Sequence, residues 1–202
     1  MQAPRVTAVI VTYRSHATID AALTAAQTCS EAGVLRCVVV NNNAGDGLVE
    51  HVRGRYPFAT VIEAGGNLGF GRGCNLGAAS VDTEFVLFIN PDAVLGLDAL
   101  SILIRFMDTH PAVGIAAPAI VGQNAGMLTQ ASDVLQQAFR GDAYPDRRLT
   151  EPGGQPFQTN WICGAAMLMR TKLFRDLAGF DPRFFLYFEE TDLCRRAAAA
   201  GA

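Results

Sequence analysis

Apolar and polar positions fall into blocks along this chain. Val6-Thr7-Ala8-Val9-Ile10-Val11-Thr12 is short, β-branched and nearly continuous in its apolar character, the pattern of a strand buried on both faces. From Ala17 to Cys29 the apolar residues Ile19, Leu23 and Ala26 recur at helical spacing. Val38-Val39-Val40 predicts a second buried strand, which runs into Asn41-Asn42-Asn43 and a loop at Gly45-Asp46-Gly47. A short helix over Leu48 to Tyr56 and a third strand over Ala59 to Glu63 follow. A glycine-rich loop then leads into a helix over Gly71 to Ala79. Phe85-Val86-Leu87-Phe88-Ile89 is a further buried strand that stops at Asn90-Pro91-Asp92, and Leu97 to His110 is an amphipathic helix closed by Pro111.

The second half reads differently. Residues 122–160 are rich in Gly, Gln, Asp and Pro and predict a long excursion. Trp161 to Arg170 predicts a strand, Lys172 to Ala178 a short helix, and a last helical segment begins at about Phe188. Strands that alternate with helices, and are too apolar for a half-exposed sheet, predict an α/β fold whose mainly parallel central sheet is flanked by helices. Ligands of such sheets collect at the carboxyl ends of the strands. Here those ends carry Thr12-Tyr13-Arg14, Asn41-Asn42-Asn43, Gly65-Gly66-Asn67 and Asn90-Pro91-Asp92.

Composition narrows the reading. The 202 residues suit one domain with a single sizeable core, 50% hydrophobic and 17% charged. A net charge of −3, with scattered arginines, argues against nucleic acid as the main partner. Five cysteines, odd in number and never Cys-x-x-Cys, fit reduced structural thiols of a cytoplasmic chain rather than a disulfide framework. The three histidines are far apart in sequence and give no sign of a His-rich metal site. No signal-peptide core or bilayer-length apolar stretch is present in the sequence.

Three constellations carry candidate chemistry. The segment Gly65-Gly66-Asn67-Leu68-Gly69-Phe70-Gly71-Arg72-Gly73-Cys74-Asn75-Leu76-Gly77 is a poor dinucleotide fingerprint, since Cys74 stands where the third glycine is required and the loop follows the third strand. Backbone amides at a helix start, with Asn67, Arg72 and Asn75 interleaved, suit a diphosphate or a nucleobase edge. Asn90-Pro91-Asp92 has two readings: a turn that caps the strand, or a carboxylate that holds a divalent cation against a substrate diphosphate. Phe184-Phe185-Leu186-Tyr187-Phe188 runs into Glu189, Glu190 and Asp192, then Arg195 and Arg196. These charges either complement a helix macrodipole, or the aromatic wall desolvates a carboxylate and raises its pKa toward that of a general base. At helical spacing Glu189, Asp192 and Arg196 share a face and Glu190 points about 100° away, so the acids divide their roles.

Five segments in this order resemble the inverting family-2 glycosyltransferases with the GT-A fold, particularly the rhamnosyltransferase-like branch. They are Val9-Ile10-Val11-Thr12-Tyr13, Asn41-Asn42-Asn43-Ala44-Gly45-Asp46-Gly47, Asn67-Leu68-Gly69-Phe70 through Asn75-Leu76-Gly77, Asn90-Pro91-Asp92, and Phe188-Glu189-Glu190-Thr191-Asp192-Leu193. The resemblance implies a single catalytic domain over 1–202, with 1–121 binding the nucleotide sugar and 122–202 carrying acceptor contacts and the base. It implies transfer of a sugar from a UDP- or dTDP-sugar to a hydroxyl of a glycan or lipid-linked acceptor, with inversion. Thr12, Tyr13, Arg14, Asn41, Asn43, Asn67, Gly69, Arg72, Asn75 and Asn90 would bind the nucleotide sugar. Asp92 would hold Mg²⁺ or Mn²⁺, and Glu190, with Asp192 and Glu189 as the other candidates, would act as base. The chain would be cytoplasmic, and a peripheral position at the inner face of the membrane stays open. Asn41 and Glu190 stand where the family carries Asp, and the usual carboxyl-terminal extension is expected to be missing. A nucleotide-sugar-binding or assembly module without turnover is the alternative.

Overall fold

The computed structural model describes residues 3–120, 156, 158–159 and 161–202 of the chain. Its elements are β1 (Val6–Thr12), α1 (Ile19–Glu31), β2 (Leu35–Asn41), α2 (Leu48–Arg55), β3 (Ala59–Glu63), α3 (Phe70–Ala78), β4 (Phe85–Ile89), α4 (Leu97–Thr109), β5 (Ile115–Ala116), β6 (Ala166–Arg170), α5 (Thr171–Asp176) and α6 (Glu189–Ala199). The strands form one sheet in the order β3-β2-β1-β4-β6-β5. β1 pairs in parallel with β2 and β4, and β2 with β3, while β6 is antiparallel to both β4 and β5. The chain steps outward from β1 to β3, then returns to the other side of β1 for β4. That reversal opens a crevice between the carboxyl ends of β1 and β4, the place where open α/β sheets bind ligands.

All seven residues of β1 are buried, because helices cover both faces of the sheet. Alternate side chains serve two cores. Val6, Ala8 and Ile10 pack with Ile19, Leu23, Leu48, Val52, Leu100 and Met107 on one face. Val9 and Val11 pack on the other with Cys74, Phe174, Phe180 and Leu193. On this second face α3 lies unusually close to the sheet. A Cβ at Gly73 would stand 2.7 Å from Val11 Cγ1, and one at Gly77 2.5 Å from Val9 Cγ1 and 2.9 Å from Val40 Cγ2. The glycines of this segment are therefore packing positions.

Two differences from the sequence pattern have physical causes. The strand expected over Trp161 to Arg170 is confined to Ala166–Arg170. At Ala165 the chain leaves the ladder, its carbonyl accepting from Asn90 N–H at 3.0 Å, and a Cβ on Gly164 would be 3.3 Å from the Phe70 ring. The two-residue β5 is too short for any periodicity to reveal it. The excursion expected over 122–160 lies almost wholly outside the described residues.

The close approach of α3 makes a prediction. Gly77→Ala should lose about 1–2 kcal/mol in urea unfolding despite its better helix propensity, because the overlap with Val9 and Val40 outweighs it. Gly66→Ala, where an added Cβ meets nothing within 4 Å, should stay within about 0.5 kcal/mol of the parent.

Candidate active site at the carboxyl edge of the sheet

The ends of β1 and β2 are joined by buried polar groups. Thr12 donates to the Val40 carbonyl (3.2 Å) and to Asn41 Oδ1 (3.3 Å), and both residues are fully buried. Asn41 Oδ1 also accepts from Asn43 N–H (3.1 Å), while Asn41 Nδ2 donates to Asp46 Oδ1 (3.1 Å) and the Asn43 carbonyl (3.2 Å). Both lone pairs and both protons of the Asn41 amide are thus engaged. In this structure the Asn41 amide organises the β2–α2 loop. Asp46, which the sequence reading left in a motif without a role, is the hub of that loop and also accepts from Asn43 Nδ2 (3.0 Å) and Leu48 N–H (3.0 Å). Burial pushes the Asp46 carboxyl up, but the bonds from Asn43, Leu48 and Asn41, with His16 nearby, hold it below its ordinary value. Tyr13 is 45% exposed beside this loop, with the Arg14 guanidinium 5.3 Å from its ring centre, and Arg14 adopts φ 55°.

The start of α3 is differently employed from the sequence reading. Asn67 Oδ1 accepts from Gly69 N–H (2.9 Å), and Phe70 N–H donates to the Phe185 carbonyl (3.1 Å). Gly69, at φ 81°, admits that carbonyl where any Cβ would collide with it. Asn75 Nδ2 donates to the Phe180 carbonyl (2.8 Å) and its Oδ1 accepts from Phe180 N–H (2.9 Å). Asn75 is therefore a clamp on the loop before α6. Arg72 is exposed on α3 and has no hydrogen bond or ion pair among the described residues. Asn42, which the sequence reading passed over, is buried and donates from Nδ2 to the Gly69 carbonyl (2.9 Å). It ties the β2 and α3 loops together.

At the end of β4 the turn is closed by backbone alone, Ala93 N–H donating to the Asn90 carbonyl at 3.1 Å. Asp92 is exposed and its carboxylate makes no hydrogen bond in the described structure, so it does not cap the strand. Among the described residues no group of three or more His, Cys, Asp or Glu side chains could hold a metal ion. A single free carboxylate fits only a cation that takes most of its oxygen ligands from substrate and water.

The acids at α6 are separated by their surroundings. Glu189 is 3% exposed, and neither its Oε2 nor that of Glu190 has a partner. Burial, with the charge of Glu189 second, raises the Glu190 carboxyl to about 7, and burial raises that of Glu189 as well. The preceding aromatic run is not a buried wall. Phe185, Leu186, Tyr187 and Phe188 are 38–66% exposed, with Tyr187 and Phe188 in left-handed conformations that turn the chain outward. Glu189 instead packs against the bare face of α3, where a Gly71 Cβ would be 3.4 Å away, and Glu190 lies against Gly164. Burial raises the Cys163 thiol, and the charges of Glu190 and Asp92 add to that rise. Asp192 is otherwise engaged: it accepts from Arg196 Nε (2.7 Å), and Arg196 also donates to the carbonyls of Leu177 (2.7 Å) and Gly179 (2.9 Å). All five cysteines are free thiols.

A raised carboxyl has a stability signature. Folded Glu190 keeps its proton from the ordinary Glu value up to about 7, so unfolding becomes easier as pH rises through that window. Glu190→Gln should melt like the parent near about pH 4 and be more stable at about pH 8, by on the order of 2 kcal/mol. Asp192→Asn should melt lower at both pH values, because Arg196 loses its anchor.

Comparison with known proteins agrees with this geometry. The family model for glycosyl transferase family 2 matches residues 7–178. N-acetylglucosaminyl-diphospho-decaprenol L-rhamnosyltransferase of Mycobacterium tuberculosis is 27% identical over 220 residues, covering 96% of this chain and 70% of the relative. Rhamnosyltransferase WbbL of Escherichia coli is 26% identical over 178 residues, covering 81% of this chain and 67% of its own. The mannosyltransferase PcManGT from Pyrobaculum calidifontis, in complex with GDP-Man and Mn²⁺, superposes with a TM-score of 0.69 at 18% identity over 99% of this chain. S. aureus TarS in complex with UDP-GlcNAc gives 0.69 at 18% identity over 96%. The chain spans 53% of each of those two structures. The fold is the GT-A type, and the chain belongs to glycosyl transferase family 2.

Proposed function

We propose that this chain transfers a sugar from a nucleotide-diphospho-sugar to a hydroxyl of a glycan or lipid-linked acceptor, inverting the anomeric carbon. The observation that carries this reading is Glu190: a carboxyl raised to about 7, with an unpartnered oxygen, in the same neighbourhood as the free carboxylate of Asp92. A base with that affinity for protons is matched to a hydroxyl substrate near neutral pH. The relatives support the substrate classes, since one is named for a diphospho-decaprenol acceptor and two solved neighbours hold a nucleotide sugar.

In this reading the exposed Tyr13 and Arg14 edge stacks on the base, which is a uracil or thymine, over the loop that Thr12, Asn41, Asn43 and Asp46 hold rigid. Asn67, through its side-chain oxygen, and Gly69 and Asn90, through their backbones, shape the walls of the crevice. Arg72 meets the diphosphate as an unpaired cation. Asp92 would hold Mg²⁺ or Mn²⁺, which when bound supplies Lewis-acid neutralisation of charge on the diphosphate. Glu190 accepts the proton of the acceptor hydroxyl as that oxygen forms its bond to the anomeric carbon. The bond from that carbon to the diphosphate oxygen breaks on the opposite face, and the diphosphate leaves with the electron pair. Among the described residues no helix is long and apolar enough to cross a membrane. In this reading a lipid-linked acceptor is met at the inner membrane surface by peripheral association.

Two measurements test the assignment. Glu190→Gln should lose at least ~10²-fold in transfer rate, while donor affinity stays within a few fold. A nearly unchanged rate would remove Glu190 from the chemistry, and donor binding without any turnover in the parent chain would leave a binding module. Asp92→Ala should abolish the Mn²⁺-dependent part of nucleoside-diphosphate binding in calorimetry at an unchanged melting temperature. Metal dependence that survives the substitution would place the cation elsewhere.

A further inference from the structure

Consecutive helical residues point about 100° apart, and two such carboxyls in water would barely influence each other. Here Glu189 is buried and Glu190 is only partly exposed. Glu189 is 3% exposed, its stem lies against the bare backbone of α3 at Gly71, and each carboxyl has one oxygen out of solvent with no partner. Among the described residues, no cation contributes to the shift of either carboxyl. From α3 comes the Cys74 thiol, from the segment before β6 the Cys163 thiol, and from α6 itself the Cys194 thiol, each pushed up by burial and then by the charge of one or both glutamates. Asp92 acts on Cys163 as well, adding negative rather than positive potential. Arg196 is bound to Asp192 and to two carbonyls, Arg183 is paired with Asp181, and Arg72 occupies an exposed position. In so dry a site two carboxyls cannot both ionise cheaply.

We propose that Glu189 is a positioning residue for the base: it takes the first negative charge of the pair and thereby governs when Glu190 is free to accept a proton. This deepens the reading of Glu190 as general base and rests on it. It also gives a buried, unpartnered carboxylate a purpose that packing alone would not require, since a Gln or Leu would fill the same space against α3 at lower cost. The direction of the coupling is consistent: the charge of Glu189 is the second cause, after burial, of the upward shift at Glu190.

The test is Glu189→Gln, which keeps the shape and removes the charge. The side-chain carboxyl of Glu190 is followed by ¹³C NMR as a function of pH and assigned through its loss in Glu190→Gln. Its inflection should fall by about one pH unit in Glu189→Gln. The acidic limb of the kcat profile should move with it, so that the rate at pH 6 relative to the plateau rises about fivefold. Glu189→Asp, which retains a charge, should keep the inflection near that of the parent and covers the case in which the Gln variant fails to fold. An inflection that stays in place in Glu189→Gln while only melting temperature or amplitude changes overturns the proposal. So does an inflection in Glu189→Asp that drops to the ordinary carboxylate range. Because the NMR titration does not depend on turnover, failure of the coupling is distinguishable from failure of Glu190 as base.

Discussion

Helix α3 can lie against β1 and β2 because two of its positions carry no side chain. At Gly73 and Gly77 the backbone approaches Val9, Val11 and Val40 more closely than any Cβ would allow. The same bare face continues outward to Gly71, where Phe180 and Glu189 pack, and to Gly69, which admits the Phe185 carbonyl. One sequence of glycines therefore sets both the depth of the helix on the sheet and the docking of the loop that launches α6. A helix seated farther out would widen the crevice between β1 and β4 and release the acids into water.

Docking of that loop is reinforced from three directions. Asn75 clamps the Phe180 backbone, Phe180 packs edge-on against Phe70 and Phe88, and Arg196 binds the carbonyls at Leu177 and Gly179. The result is a rigid frame around two carboxyls that are unfavourable to ionise where they stand. Local instability is the physical origin of a usable base, because burial that raises a carboxyl toward neutrality necessarily weakens the folded state above that pH. The stability needed to hold it comes from the two apolar cores on either side of β1.

The exposed aromatic run illustrates how one segment can be read correctly in composition and wrongly in role. Phe185 contributes its backbone carbonyl to α3 and lays one ring edge by Gly69, while it and the three residues that follow stay 38–66% exposed. Left-handed conformations at Tyr187 and Phe188, costly for such residues, let the chain make that turn and enter α6 with Glu189 facing inward.

The sequence by itself determined the strands over Val6–Thr12, Ala59–Glu63 and Phe85–Ile89, the helices between them, the parallel core and the order of the five motif segments. These are legible because periodicity and apolar runs are properties of neighbouring residues, and burial on both faces imposes them directly. It also singled out the acids at α6 and the free carboxylate at Asp92. Tertiary structure alone decided which polar side chains remain available. Asn75 is consumed by Phe180, 105 residues away in the chain, and Asn41 by a loop knot centred on Asp46. Likewise Gly73 and Gly77, read as part of a loop suited to a diphosphate, make close contact with valines of β1 and β2. A hydrogen-bond partner or a close approach depends on which segments the fold brings together, and no local pattern of residue types carries that information.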